Sequence, residues 1–401
     1  MPDNARTGPN VKGGIHVLPE YYDFQVRSRI VAGPGTASSF GNELERFKAE
    51  RAFIVTDEVV RGLGFLDRIE ESLTAAGLET AGVFDEVPPN SEFGVVMRGA
   101  EACREAGGDL LVAVGGGSVL DTAKGMNIVL SLGGEIADYQ GFGLINEPLG
   151  PLVAVPTTAG TGSEVTGYSV IRDEATESKQ TLVSPYLASD LAVLDPELTL
   201  SMPPGLTAST GLDALSHAVE AYLSTNWRPV SDALALHASR LIAEWLPRAV
   251  ESGDDIEARY WMLTAACEAG MAFSSAMVGC VHAMAHAVGG LYEVPHGLAN
   301  AILLAPGMEY NLPVAEGRLA DLARAFGLEP TGDASRDARA AVDFVRGFVA
   351  RVGLPTRLRE AGVPEEGLER IAEAACVDAA VYTNPREATP EELLEVLKKA
   401  Y

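Results

Sequence analysis

The 401-residue chain is 47% apolar and 21% charged, long enough to bury more than one core, and its length favours two domains over one. Its 30 basic against 56 acidic residues give a formal charge of −26, which repels nucleic acid phosphates and anionic membrane surfaces and excludes partners of those kinds. Cys103, Cys267, Cys280 and Cys376 lack CxxC spacing, so neither a disulfide framework nor a thiolate metal cage is implied, and a reducing cytoplasm fits.

Residues 1–14 carry no apolar signal core and are expected to be disordered, and His16 beside them is read as incidental. No apolar run reaches the ~18 residues a membrane span needs. The stretch YYDFQVRSRIV at 21–31 predicts extended structure, stopped by the Gly33-Pro34-Gly35 turn. A helix over 38–48 then leads to a strand at 52–57 (AFIVTD), a helix at 65–76 and a second strand (TAGVFDEV) before Pro88. A helix at 93–106 and the strand LLVAV at 110–114 repeat the unit. Strands alternating with helices of this length predict a Rossmann-like parallel sheet covered on both faces.

LLVAV runs into GGGSVLDTAK at 115–124. Consecutive glycines let backbone approach a ligand closely, and free N–H groups at a helix start attract phosphate, so the stretch reads as a pyrophosphate cradle. The competing reading is a tight strand-to-helix turn, with Ser118 as cap and Asp121 closing a capping box. Upstream, Asp57 can accept from an adenosine ribose and repel a 2′-phosphate, favouring NAD over NADP, or it can simply cap the next helix. The strand LVAVP at 152–156 is followed by the hydroxyl-rich loop TTAGTGSEVT, able to hold the diphosphate and nicotinamide end.

Proline-rich punctuation at 194–205 ends the alternation and sets the boundary between a nucleotide-binding domain, 1–200, and an all-helical domain, 201–401. Beyond it, 231–246, 256–271, 317–326 and 336–352 show apolar residues at helical period. Trp227, Trp245 and Trp261 are assigned to core packing, with Trp227 and Phe273 as candidates for a pocket wall. His237 has no neighbouring donor in sequence and is read as structural.

The densest signal is GCVHAMAHAVGGLYEVPHGLAN at 279–300, which holds His282, His286 and His296. Asp213 and His217 in GLDALSHAVEAY are spaced i, i+4, as are His282 and His286, so each pair lies on one helix face. With His296 they supply the imidazole and carboxylate donors that Zn(II) or Fe(II) prefers.

GGGSVLDTAK, PTTAGTGSEVT, GLDALSHAVEAY and HAMAHAVGGLYEVPHGLAN, in this order, resemble the signatures of the iron-containing (group III) alcohol dehydrogenase family, and GLPTRLREAGV and NPREATPEELLEVL extend the likeness to the end of the chain. The resemblance implies a dehydroquinate synthase-like fold, a sheet domain followed by a helical metal-binding domain. It implies Asp213, His217, His282 and His296 as ligands to Fe(II), with Zn(II) used by some members, and His286 as the catalytic histidine beside the nicotinamide. Asp57, Asn90, Gly116, Gly117, Ser118, Asp121, Thr158, Thr161 and Lys179 match positions that contact NAD in similar enzymes. Two departures stand out: no proline follows Asn90 in PPNSE, and Tyr168 stands where some members have asparagine.

The implied activity is oxidation of a small primary alcohol or diol, or reduction of the aldehyde, by a homodimer or larger assembly in the cytoplasm. The alternative is a hydroxyacid-oxoacid transhydrogenase or 4-hydroxybutyrate dehydrogenase of the same family, which would need a cation in the cleft. A lyase on the related fold, or a non-enzymatic assembly subunit, fits the complete donor set less well. Substrate choice is expected to rest on Trp227, Phe273 and the loop at 140–146.

Overall fold

The computed structural model describes residues 21–401 apart from Glu177, so the expectations for residues 1–14 and His16 fall outside the described residues. In chain order the first half forms β1 (Arg29–Ala32), β2 (Arg51–Val55), α1 (Glu58–Gly62), α2 (Phe65–Ala75), β3 (Glu79–Phe84), α3 (Phe93–Ala106), β4 (Leu110–Gly115) and α4 (Gly117–Leu132). It continues with β5 (Gly141–Phe142), β6 (Leu152–Pro156), β7 (Tyr168–Asp173), β8 (Ser178–Val183) and β9 (Leu191–Leu194).

Six strands make one parallel sheet in the order β1-β9-β6-β4-β2-β3. Successive side chains of a strand point to opposite faces, and in the central strands β2, β4, β6 and β9 both faces are buried. Ile54, Val112 and Val153 meet Ile69 and Leu73 of α2, while Val55, Leu111 and Ala154 meet Val96 of α3 and Ala123 and Met126 of α4. The chain leaves β2 towards β3 and leaves β4 towards β6, so the order reverses between β2 and β4, where open α/β sheets place their ligands. A second sheet, β5-β8-β7, lies outside the sequence reading; SKQTLV lacks the apolar alternation that marks a strand.

Two expectations are corrected. The extended run at 21–31 becomes a strand only over Arg29–Ala32, because its partner β9 offers pairing positions only from Leu191 to Leu194. The helix expected over 38–48 is instead a 3-10 turn, Phe40–Phe47, preceded by another at Thr36–Ser38. Ala37 N–H is taken by Asp195 and Phe40 N–H by Ser72, so tertiary bonds redirect the backbone.

The second half comprises α5 (Pro204–Leu223), α6 (Pro229–Glu251), α7 (Ile256–Ala276), α8 (Cys280–Tyr292), α9 (His296–Ala325), α10 (Ala334–Arg351), α11 (Leu368–Cys376) and α12 (Pro390–Ala400). Every residue of α5 from Gly211 to Leu223 is buried, so this helix is the axis around which the others pack. Trp245 and Trp261 stack at 6.2 Å and pack half-buried on this core, whereas half-buried Trp227 lies under the Arg318 guanidinium at 5.6 Å. His237 binds Glu268 at 2.7 Å, a partner 31 residues away that sequence proximity could not show.

Candidate active site

Three helices meet to build a cluster of donors. Asp213 and His217 occupy successive turns of α5, His282 lies in the first turn of α8, and His296 opens α9 directly after Pro295. One donor atom from each of Asp213, His217, His282 and His296 lies within 4.8 Å of all the others. His286, one turn beyond His282, stands at the edge: its ring centroid is 6.0 Å from that of His282 and 5.4 Å from that of His296.

Partners absent from the sequence reading fix these side chains. Glu220 on α5 accepts from His282 Nδ1 at 2.6 Å and from the backbone N–H groups of Val281 and His282 at 2.7 and 3.1 Å. His282 Nδ1–H is therefore committed and Nε2 carries the lone pair that faces the cluster. Asn300, one turn into α9, donates its amide to Asp213 Oδ1 at 2.7 Å and contacts His296 Nε2 and His282 Nε2 at 3.1 and 3.2 Å. His286 Nδ1 bonds Asp378 Oδ2 at 2.9 Å. The Phe273 ring from α7 stacks on His217 with centroids 4.3 Å apart and meets Tyr168 at 6.1 Å, so it does wall the cluster.

Burial drives the His217 imidazole down to about 4 despite the attraction of Asp213, and holds His296 well below its ordinary value. Both are neutral near pH 7 and offer lone pairs. Burial pushes the Asp213 carboxyl up, but His217, His296 and His282, with the Asn300 amide, outweigh it and hold it below the usual carboxylate range. Buried polar atoms without a partner are costly, and two lie on this cluster, His217 Nδ1 and Asn300 Oδ1. Three imidazoles and a carboxylate converging with polar atoms unmatched by protein are the chemistry of a divalent cation site, and the residues fit Fe(II) or Zn(II).

Across the cleft lie the candidate cofactor residues. A Cβ on Gly115 would sit 2.5 Å from Val119 Cγ2, and one on Gly117 2.7 Å from Thr161 Cγ2, so these two positions admit no side chain. Gly116 stands nearest Thr158, at 3.4 Å from a built Cβ, and the loop after β6 thus faces the glycine turn. Ser118 donates to the Pro89 carbonyl, which brings the exposed Asn90 beside that turn. Asp57 follows β2, the strand next to β4, as the cap of α1, and its Oδ1 accepts from Val60 N–H at 2.8 Å, so the helix-cap reading is realised.

The capping box that the competing reading required at Ser118 and Asp121 is absent. α4 begins at Gly117, which makes Ser118 its second residue and carries Asp121 beyond capping reach. Asp121 binds Ser163 Oγ at 2.7 Å and Val170 N–H at 2.9 Å instead. Lys179 on β8 is exposed; desolvation lowers its pKa against the pull of Asp121 and Asp213. Its ammonium therefore stands between the two halves.

Helical spacing offered a signal for Glu220, three residues after His217, and for Asn300, four after His296. Nothing local marks Asp378, 92 residues from its histidine.

A glycine turn facing a hydroxyl-rich loop, set against helices bearing histidines and an aspartate, defines a metal-dependent dehydrogenase. The chain matches the family model for iron-containing alcohol dehydrogenase over residues 27–196, and that for the C-terminal part of the Fe-containing alcohol dehydrogenase family over residues 207–401. It is 37% identical to the NAD-dependent methanol dehydrogenase of Bacillus methanolicus over 94% of this chain and 99% of that one. It is 40% identical to the 1,3-propanediol dehydrogenase of Citrobacter freundii over 95% and 99% of the two chains. The crystal structure of a 1,3-propanediol oxidoreductase superposes with a TM-score of 0.93 at 39% identity, covering 95% of this chain and 100% of that one. The chain belongs to the iron-containing alcohol dehydrogenase family.

Proposed function

We propose that the protein interconverts a small primary alcohol or diol and its aldehyde, using NAD and an Fe(II) ion, or Zn(II) in its place, held by Asp213, His217, His282 and His296. The convergence of these donors within 4.8 Å is the observation that carries the reading. The NAD-dependent methanol dehydrogenase and the propanediol dehydrogenase among its relatives support the cofactor and the substrate class. The domain division at residues 1–200 and 201–401 assigns the nucleotide half to the first, described from residue 21, and the metal and substrate half to the second.

A divalent cation in this donor set supplies Lewis acidity that lowers the pKa of an alcohol, and oxidised nicotinamide supplies the hydride acceptor. The residues do the rest. Glu220 holds His282 in the tautomer that offers Nε2 inward. His286 gives its Nδ1–H to Asp378, which leaves Nε2 to accept the proton; its side chain, 31% exposed, passes it to solvent. Asn90, Gly116, Gly117, Ser118, Thr158, Thr161 and Lys179 hold NAD, with Asp57 at the ribose. Asp121 contributes through Ser163 and Val170 by keeping the cradle in place. Phe273 and Tyr168 supply an apolar wall suited to a short carbon chain.

The hydroxyacid-oxoacid transhydrogenase and 4-hydroxybutyrate dehydrogenase readings require a cation to spare for a carboxylate. Lys179 faces the fields of Asp121 and Asp213, which already answer its charge. A homodimer or larger assembly is supported by β1, whose outer edge has no strand partner among the described residues. Four free cysteines support a reducing cytoplasm. No single helix among the described residues is long and apolar enough to cross a membrane.

The test is nicotinamide reduction with short alcohols, diols and 4-hydroxybutyrate, on chelated protein resupplied with Fe(II) without oxygen or with Zn(II). Turnover on a simple alcohol that vanishes on chelation and returns with one metal is expected. Activity confined to the hydroxy acid would replace the substrate class, and activity indifferent to chelation would remove the metal.

A further inference from the structure

Residues 157–166, between β6 and β7, are gripped from both halves of the molecule by different physics. The nucleotide half holds them with hydrogen bonds. The buried Lys124 ammonium on α4 donates to Ser163 Oγ at 2.9 Å, to the Thr166 carbonyl at 3.1 Å and to the Tyr168 carbonyl at 2.6 Å. The metal half holds them by close packing. A Cβ on Gly160 would lie 2.7 Å from Thr210 Cβ and 3.0 Å from its carbonyl oxygen. A Cβ on Gly162 would lie 2.6 Å from Gly270 Cα, and one on Gly270 2.8 Å from the Gly162 carbonyl oxygen. Backbone meets backbone there, with no flexible side chain to give way.

The gripped positions adjoin the chemistry. Thr210 lies one turn before Asp213 on α5, and Gly270 one turn before Phe273 on α7, whose ring covers His217. Thr158 and Thr161 of the same loop face the glycine turn. A glycine inside a helix is less favourable than alanine, and at Gly270 the approach of Gly162 explains its presence. Gly162 itself adopts φ +61°, a conformation that favours glycine.

We propose that residues 157–166 act as a rigid spacer that sets the distance between the cofactor cradle and the metal cluster, with Gly270 and Lys124 as its positioning residues. The inference rests on the proposed function, since it concerns the gap that hydride must cross. Reacting atoms must approach to about 3–3.5 Å, and a misplacement of about 1 Å can cost on the order of 100-fold in rate. A displacement at the packed edge of the spacer is passed to Thr158 and Thr161 at the other edge, because Gly162 and Gly270 meet backbone to backbone and Thr161 packs closely on Gly117.

The experiment compares metal-loaded, full-length wild type with Gly270→Ala, Val165→Ala and the control Gly347→Ala, a helical glycine with open space around it. It measures kcat, the deuterium isotope effect with alcohol labelled at the carbinol carbon, metal affinity by chelator competition and NAD affinity by fluorescence. Gly270→Ala is expected to lower kcat by about 10- to 100-fold and to raise the isotope effect, with both affinities within about threefold of wild type. Should Gly270→Ala fail to fold, Val165→Ala, a milder truncation beneath the same contact, is expected to fold and to move the isotope effect in the same direction; Gly347→Ala leaves it unmoved. Folded variants with a wild-type isotope effect, or losses that track metal or NAD affinity, would overturn the spacer. Wild type without metal- and NAD-dependent turnover would overturn the proposed function instead.

Discussion

The two α8 histidines show how one helical spacing yields two environments. His282 is buried with its Nδ1 on Glu220, while His286 is partly open with its Nδ1 on Asp378. His282→Ala is expected to abolish metal retention and turnover together. His286→Ala should retain the metal, read by elemental analysis, and lose at least roughly 100-fold in kcat as proton transfer slows. Metal loss from the second variant but not the first would reverse these roles. Glu220→Gln weakens the hold on His282 and is expected to reduce metal affinity by about 10- to 100-fold in chelator competition. Another residue, Glu164, reports on stability. Burial pushes the Glu164 carboxyl up from 4.5 to about 7. Between those values the folded state keeps a proton that the unfolded chain releases, so stability falls as pH rises from 4.5 to about 7 and is level beyond. Glu164→Gln removes that cost, on the order of 3 kcal/mol at its full extent. The Tm difference between variant and wild type should therefore grow across this window, and a constant difference would rule the effect out.

At the scale of elements, the start of α8 joins helix capping to metal-site geometry. Its first N–H groups are taken by Asn384 and Glu220, and Glu220 also holds His282. A carboxylate at a helix N-terminus is favoured by the free donors and the helix dipole. Gly279 leaves room for both caps, since a Cβ there would fall 2.8 Å from Asn384 Oδ1 and 2.9 Å from Glu220 Oε1. Gly279→Ala is expected to displace the Glu220 carboxylate and weaken metal binding much as Glu220→Gln does; unchanged affinity would separate the cap from the site. The elements themselves were unevenly legible. β4 and α3 follow directly from their patterns, LLVAV and an apolar face bounded by Gly107. The turn at Phe40–Phe47 has an equally helical pattern, yet bonds to Ser72 and Asp195 override it.

At the scale of the molecule, a buried cluster of lone pairs couples cation binding to stability, because the unfolded chain cannot assemble it. Free cation at about 100 times its Kd adds about 2.7 kcal/mol. Chelation should therefore lower Tm by several degrees, and Zn(II) or Fe(II) should restore it while Mg(II), which prefers oxygen donors, should not. A Tm indifferent to chelation would show that the four donors hold no ion. The formal charge of −26 biases the chain as a whole towards cations and away from polyanions.

The sequence by itself determined the strand and helix alternation, the glycine turn and the group of candidate donors. Each is written in local periodicity or spacing, which backbone geometry converts directly into shape. Only the tertiary structure decided which atoms meet. Glu220, Asn300 and Asp378 take up their roles because α5, α8, α9 and the turn after α11 converge. Asp121 leaves the helix cap for Ser163 and Val170, and Gly162 finds Gly270 across the loop and α7. Such contacts depend on the relative placement of elements far apart in the chain. That placement is fixed by packing over the whole core, and no local stretch of residues encodes it.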